Sequence, residues 1–305
     1  MRVVGFAFAV VVVIIGACAG QPNGPAAPSD ASDRLTVVTS TTVIADFVAN
    51  VGGARVDVHP LVPKGGEAHT FDPAPSDAAR ISDAQLLVLN GLGLDDWLLG
   101  LARDSGHANL PAIALAEGLE EVEYLEGDGG LGEAANPHLW MNVGYARLYV
   151  DRIRLKLTEL DPAGQAIYDA NADAYDDQLA DLDGYIHDEL ASIPEDDRRV
   201  VTFHDAFPYF AAAYGLEIAG VVVDAPGQDP SAGEVARLVT AIKQTGVKAI
   251  LAEAQFSDRP ADAIADETNA TVVSGLYTDS LGDAPQDTFD GAMRWNVDEI
   301  TAALR

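Results

Sequence analysis

The sequence of 305 residues contains a single cysteine, Cys18. One cysteine cannot form a disulfide within the chain, and it cannot build a zinc site from thiolates. Basic residues are also scarce, because 18 Lys and Arg stand against 48 Asp and Glu, for a formal net charge of −30. A surface of this charge repels phosphate backbones and anionic lipids. The composition therefore excludes nucleic acid as a partner, whereas it is compatible with cations as ligands.

Several sequence motifs of enzymes are missing as well. The chain has no P-loop, no G-x-S-x-G and no H-E-x-x-H. The characteristic residues of a serine hydrolase and of a zincin protease are therefore both missing.

Hydrophobic residues make up 48% of the chain, which excludes disorder for most of it. The length permits one large domain or two of about 130–150 residues.

The N-terminus has the pattern of an export signal. Arg2 is followed by an apolar run of about 15 residues, shorter than the ~20 residues of a membrane-spanning helix. The run ends in IGAC, which looks like a bacterial lipobox whose cysteine receives a diacylglyceryl group. We expect a signal peptide at residues 1–17, lipidation at Cys18 and a flexible tether at residues 18–34. Ordinary cleavage between small residues is the alternative.

Apolar runs of strand length alternate with segments of helical period in two blocks. The predicted strands are residues 35–39, 55–62, 86–89 and 112–115, then 199–203, 218–223, 249–252 and 271–273. This alternation predicts the α/β class, with parallel sheets covered by helices. We expect an N-terminal lobe at residues 35–161 and a C-terminal lobe at residues 195–305.

The segment between the two blocks has the pattern of one long helix. Its apolar residues step by three, four and seven along one stripe: Tyr168, Tyr175, Leu179, Leu182, Ile186 and Leu190. A helix of about 29 residues would be roughly 43 Å long, enough to reach both lobes. We expect a linking helix within residues 162–194. The alternative is a helix that packs on one lobe only.

Three of the six histidines share one kind of position. His69, His138 and His204 lie in polar, turn-rich loops at the ends of predicted elements. Open α/β sheets bind ligands at such ends, and imidazole is the commonest metal ligand. One such histidine alone would more often be structural, but three together favour a shared site. The other histidines, His59, His107 and His187, fit surface or edge positions.

Six motifs together resemble one family: residues 39–42 (TSTT), 67–73 (EAHTFDP), 136–141 (NPHLWM), 202–207 (TFHDAF), 253–257 (EAQFS) and 277–282 (YTDSLG). That family is the metal-binding lipoproteins of bacterial zinc and manganese ABC importers (cluster A-I, ZnuA/TroA type). The resemblance covers residues 35–305. It implies two Rossmann-like lobes joined by a backbone helix, with a metal in the cleft between them. It also implies the ligands His69 and His138 from one lobe, and His204 and Asp279 from the other.

The ligand set implied by the resemblance has a preferred metal. Three neutral imidazoles and one carboxylate suit four-coordinate Zn²⁺, and the affinity order of divalent metals also places Zn²⁺ above Mn²⁺. Manganese members of the family tend to have a carboxylate where His204 stands. Binding through both oxygens of Asp279 would raise the coordination number, so Mn²⁺ stays an alternative metal for the site. Glu67 and Asp205 flank the ligands, either as acceptors for imidazole N–H groups or as solvated acids.

One segment departs from the pattern of the zinc proteins in the family. They often have a His-rich loop before the second ligand, whereas residues 120–135 contain acids and glycines and no histidine. We expect a solvated loop there, and weak attraction of cations is the alternative.

The resemblance implies a receptor and not an enzyme. It would be a monomer at the outer face of the cytoplasmic membrane or in the periplasm, serving a permease that is driven by a cytoplasmic ATPase. Two other functions stay open. A secreted zinc hydrolase would need an open position on the metal for water. A metal-bearing adhesin would not need the metal for adhesion.

Overall fold

The computed structural model describes residues 34–127, 135–223, 226–227 and 230–305. The predicted signal peptide, the predicted lipidation site Cys18 and all of the predicted tether except residue 34 lie outside the described residues, as do residues 128–134 of the expected loop at residues 120–135. Among the described helices, none combines the length and the apolar character that a membrane span requires.

The N-terminal lobe is built on a four-stranded parallel sheet with the order β2–β1–β3–β4. Its strands are β1 (Leu35–Thr39), β2 (Val56–Pro60), β3 (Leu86–Leu89) and β4 (Ala112–Ala114), and its helices are α1 (Thr42–Gly52), α2 (Pro75–Asp83) and α3 (Trp97–Asp104). Every residue of β3 is buried, as its continuous apolar run predicts for a central strand of a parallel sheet.

The C-terminal lobe repeats this topology in the order β6–β5–β7–β8. Its strands are β5 (Arg199–Thr202), β6 (Glu217–Val221), β7 (Ala249–Glu253) and β8 (Thr271–Leu276), and its helices are α6 (Pro208–Tyr214), α7 (Ala232–Thr245), α8 (Arg259–Thr268) and α9 (Phe289–Leu304). All strand pairs in both sheets are parallel. The carboxyl ends of each sheet therefore share one edge, where ligands of open α/β sheets bind.

Two helices lie between the sheets in the sequence, α4 (Val143–Leu160) and α5 (Gln165–Ala191). The 27-residue helix α5 contacts α4, α1 of the N-terminal lobe, and α6 and α9 of the C-terminal lobe. Its buried residues include the whole predicted stripe from Tyr168 to Leu190. The prediction of two parallel-sheet lobes joined by one long helix is confirmed, and a helix packed on one lobe only is excluded by these contacts.

The two lobes share a continuous core. Buried side chains of β1 and β3, of β5 and β7, and of helix α5 belong to one apolar cluster. Because protein interiors are close-packed, a core of this kind resists large movements of one lobe against the other. The joined core and the long helix therefore hold the two strand-end edges in a defined relation.

Several predicted strand bounds differ from the structure by one to three residues. The predicted strand at residues 271–273 continues to Leu276, with a shift in its pairing to β7 between Leu251 and Glu253. Helix α9 begins at Phe289, because the Thr288 side chain accepts a hydrogen bond from Gly291 N and caps the helix.

Candidate metal centre

The four predicted ligands come together between the lobes. His69 lies in the loop after β2, His138 precedes α4, His204 follows β5 and Asp279 follows β8. One ligand atom from each of these side chains lies within 4.8 Å of all the others. Consecutive ligands are 66 to 75 residues apart in the chain, yet their side chains meet at one point.

The spacing of the ligand atoms fits one metal ion. His138 Nε2 lies 3.2 Å from His69 Nε2 and 3.4 Å from His204 Nε2. Asp279 Oδ1 lies 3.3 Å from His138 Nε2, and its Oδ2 lies 3.6 Å from His204 Nε2 and 3.9 Å from His69 Nε2. Two ligand atoms that are each 2.0–2.1 Å from a tetrahedral ion stand about 3.3 Å apart.

The centre is shielded from water. His138, His204 and Asp279 are 2%, 1% and 0% exposed, and the side chain of His69 is 3% exposed. Asp279 Oδ1 is buried without a hydrogen-bond partner. A buried carboxylate oxygen that makes no hydrogen bond is costly, and a cation would compensate it. The donor set, the spacing and this oxygen together suit a divalent metal.

Neighbouring polar groups orient two of these side chains. The backbone N–H of His138 donates to Asn136 Oδ1 at 3.0 Å, and the same oxygen lies 3.0 Å from Nδ1 of the ring. Gln255 Nε2 donates to Asp279 Oδ2 at 3.3 Å. The Trp140 indole donates to the carbonyl of Thr278 at 3.0 Å, which fixes the chain next to Asp279. These contacts direct the free atoms of His138 and Asp279 into the centre.

Glu253 is a functional candidate that the sequence analysis did not identify. It was part of a motif there, without a role of its own. Its Oε1 lies 2.7 Å from Nδ1 of His204, and the residue is fully buried. The sequence feature that could have indicated a role for Glu253 is its position as an acid at the end of an otherwise apolar strand (AILAE).

The two flanking acids contact the loops of the centre. Glu67 Oε1 accepts a hydrogen bond from the backbone N–H of His69 at 2.7 Å, and its Oε2 is buried without a hydrogen-bond partner. Asp205 accepts from Asn136 Nδ2, at 2.7 Å through its backbone carbonyl and at 3.0 Å through Oδ2. Both acids therefore brace the chain next to a predicted ligand.

The metal-free centre has strongly shifted protonation equilibria. Burial lowers the pKa of His138 to about 4, against the opposing effect of Asp279. Burial also acts to lower the pKa of His204, but the carboxylates of Glu253 and Asp279 outweigh it and raise that pKa to about 10. Burial and the charge of Asp279 raise the pKa of Glu67 to about 7. Burial raises the pKa of Asp279, yet the three imidazoles hold it below its ordinary value.

The remaining histidines lie away from this cluster. His59 is in β2, with a side chain that is 44% exposed and a ring nitrogen 3.4 Å from Asp57. His187 on α5 packs edge-on against Tyr214. His107 lies in the loop between α3 and β4. Their positions agree with the surface and edge assignments made from the sequence.

Known proteins give an independent comparison. The family model described as "Zinc-uptake complex component A periplasmic" matches residues 37–303. The manganese-binding lipoprotein MntA of Halalkalibacterium halodurans is 30% identical over 308 residues, which cover 100% of this chain and 99% of that protein.

Solved structures agree with this match. The periplasmic zinc binding protein TroA from Treponema pallidum has a TM-score of 0.81 and 28% identity, over 89% of this chain and 99% of that one. The Mn-bound periplasmic metal binding protein of Candidatus Liberibacter asiaticus has a TM-score of 0.78 and 27% identity, over 89% and 100% of the two chains. The chain therefore belongs to the family of periplasmic component A proteins of zinc-uptake complexes.

Proposed function

We propose that this chain is the extracytoplasmic receptor of a metal ABC importer. It captures one divalent transition metal between its lobes and delivers the metal to a permease, which a cytoplasmic ATPase drives. The observation that supports this most strongly is the convergence of three imidazoles and one carboxylate in a buried centre. The relatives named above are a manganese-binding lipoprotein and a zinc binding protein, which are consistent with a metal as the solute.

His69, His138, His204 and Asp279 are the proposed ligands, and Zn²⁺ is the proposed metal. Three imidazoles suit zinc, whereas Mn²⁺ prefers more oxygen. Mn²⁺ is the second candidate, since both oxygens of Asp279 lie within 3.9 Å of an imidazole nitrogen and could bind together. The names of the relatives include both metals.

The proposed location follows from the N-terminal sequence. Export by residues 1–17 and lipidation of Cys18 would hold the receptor at the outer face of the membrane. Residues 18–34 would act as the tether, with the two lobes bounded at residues 35–161 and 195–305. A monomer is sufficient, because one chain supplies all four ligands.

The same donor set argues against a secreted zinc hydrolase. A catalytic zinc keeps one position open for water, whereas four side chains surround the position proposed here. No feature of the described residues favours an adhesin over a receptor.

Competition on metal-free protein tests the proposal. We expect one tightly bound metal per chain and displacement of Mn²⁺ by an equal concentration of Zn²⁺, measured by mass spectrometry of the protein and its metal. A His187→Ala variant serves as the control, because this histidine lies outside the centre. Absence of any tightly bound metal would contradict the receptor function, and preference for Mn²⁺ would contradict the choice of zinc only.

A further inference from the structure

Glu253 is a buried acid that contacts a proposed ligand without reaching the metal position itself. It ends β7, a strand whose five residues are all buried. Its Oε1 forms an ion-pair contact of 2.7 Å with Nδ1 of His204, and neither of its oxygens makes a hydrogen bond. Among the described residues, His204 is the only ion-pair partner of Glu253. A buried carboxylate with so few partners is unfavourable for folding, which points to a role in the site.

The two nitrogens of the His204 ring face different surroundings. Nδ1 faces Glu253, whereas Nε2 lies 3.4 Å from His138 Nε2 and 3.6 Å from Asp279 Oδ2. Because a neutral imidazole holds one proton, a carboxylate at Nδ1 keeps the proton there and leaves the lone pair at Nε2. The ring of Phe256 stands edge-on to that of His204 at 5.2 Å and restricts its rotation. The tautomer and the plane of this ring are thus set by its neighbours.

His138 has a different partner at the equivalent nitrogen. Its Nδ1 lies 3.0 Å from the neutral amide oxygen of Asn136, whereas that of His204 faces a charged carboxylate. A carboxylate next to Nδ1 favours the proton on that nitrogen by its charge and makes the opposite nitrogen a better metal donor than a neutral amide does. Of these two rings, His204 from the C-terminal lobe is therefore the stronger donor.

We propose that Glu253 is a positioning residue that holds His204 in its metal-binding tautomer and strengthens its Nε2 as a donor, which favours Zn²⁺ over Mn²⁺. The selectivity follows because zinc gains more from a strong nitrogen ligand, whereas manganese prefers oxygen. This inference rests on the proposed function of the centre.

Substitutions of matched size test the inference. Glu253→Gln keeps the shape and removes the charge, and Glu253→Asp keeps the charge on a shorter side chain. Glu217→Gln makes the same chemical change at the amino end of β6, which is separated from β7 by β5, and there Glu217 pairs with Arg199 on the surface. Zinc and manganese affinities of all variants are measured by competition with a chromophoric chelator.

We expect Glu253→Gln to lose about 10–100-fold in zinc affinity, the usual cost of removing an outer partner of a ligand. The loss of manganese affinity should be smaller, so that the ratio of the two affinities falls. Glu253→Asp should recover part of the zinc affinity, and Glu217→Gln should match the unsubstituted protein. Unchanged zinc affinity in Glu253→Gln, or equal losses for both metals, would overturn the inference while leaving the receptor function intact. A protein without Glu253 substitutions that binds neither metal would overturn both.

A spectroscopic measurement separates positioning from a merely structural role. In the zinc-loaded unsubstituted protein, ¹⁵N NMR of histidine should show His204 protonated at Nδ1 and bound through Nε2. This signature should shift in Glu253→Gln, while the unfolding temperatures of the metal-free proteins stay close together. If Glu253→Gln fails to fold, the unsubstituted protein still decides, because a proton found at Nε2 of His204 would overturn the inference.

Discussion

Asn136 donates a hydrogen bond from Nδ2 to the backbone carbonyl of Asp205, at 2.7 Å. Its Oδ1 accepts from the backbone N–H of His138, so that one amide connects the loop of His138 with the loop of His204. The hydroxyl of Tyr209 on α6 adds a second connection by donating to the carbonyl of Asn136 at 3.2 Å. Ligands from the two lobes are therefore held in a fixed relation by protein groups alone.

Removing this amide should weaken both the fold and the metal site. We expect Asn136→Ala to lower the free energy of unfolding by about 1–3 kcal/mol, because buried polar groups lose their partner. Zinc affinity should fall by at least about tenfold, since the His138 ring loses an orienting contact. Urea unfolding and chelator competition measure the two effects.

Asn142 provides the control for this variant. Its Oδ1 accepts from Gly144 N and caps α4, four residues after His138. Asn142→Ala should cost about 1 kcal/mol of stability, as for other helix caps, and leave zinc affinity unchanged. Equal affinities for the two variants would argue against a link through Asn136.

Removing a proposed ligand should have a larger effect than removing a group behind it. For His138→Ala and Asp279→Ala we expect losses of zinc affinity beyond the ~10–100-fold cost of an outer contact. Zinc should also cease to raise the unfolding temperature of these variants, whereas at a thousand times its Kd it would stabilise the unsubstituted protein by about 4 kcal/mol. Differential scanning calorimetry with and without zinc gives the comparison. A zinc-dependent rise in either variant would remove that residue from the ligand set.

Helix α5 should be a major source of stability for the whole chain. Leu179 is fully buried in the core that the two lobes share. Leu179→Ala should lower the free energy of unfolding by about 2–5 kcal/mol, the cost of a cavity in a close-packed core. Leu155 on α4 is 53% exposed, and Leu155→Ala should change the free energy of unfolding by less than about 0.5 kcal/mol. Similar values for both variants in urea unfolding would show that α5 does not contribute to a common core.

Local pattern was enough to predict the strands of both sheets and the long helix α5. The buried run at residues 86–89 is a strand with the bounds expected from the sequence, and the stripe from Tyr168 to Leu190 is the buried face of α5. Both follow from side-chain periodicity, which is a property of neighbouring residues. The proposed ligands were found through resemblance, because spacings of 66 to 75 residues do not reveal which loops meet.

Contacts that depend on the order of strands in a sheet could not be predicted from the sequence. Glu253 meets His204 because β7 lies beside β5, an adjacency that arises only when the sheet assembles in the order β6–β5–β7–β8. The hydrogen bonds of Asn136 to Asp205 depend in addition on how the two lobes pack against each other. Periodicity contains no information on either relation, so these partners of the ligands became visible only in three dimensions.

Acidification should release the metal, and the shifted pKa values define the range. In the metal-free centre the pKa of His204 is about 10, that of Glu67 about 7 and that of His138 about 4. At pH 7.5 His204 therefore holds an extra proton that must leave before Nε2 can bind, whereas His138 is already neutral. Because the metal-free state binds more protons, affinity must rise with pH, by about tenfold per unit between pH 7.5 and 9. Below pH 7 Glu67 adds a second proton, and the slope should become steeper.

Two measurements check this behaviour. Zinc affinities from chelator competition between pH 5.5 and 9 give the slope. Calorimetry in buffers of different ionisation enthalpy gives the number of protons released, about one per metal at pH 7.5. Glu253→Gln supplies the internal comparison, because loss of the carboxylate that raises the pKa of His204 should flatten the slope above pH 7. An affinity that stays constant over this range would contradict ligation by His204.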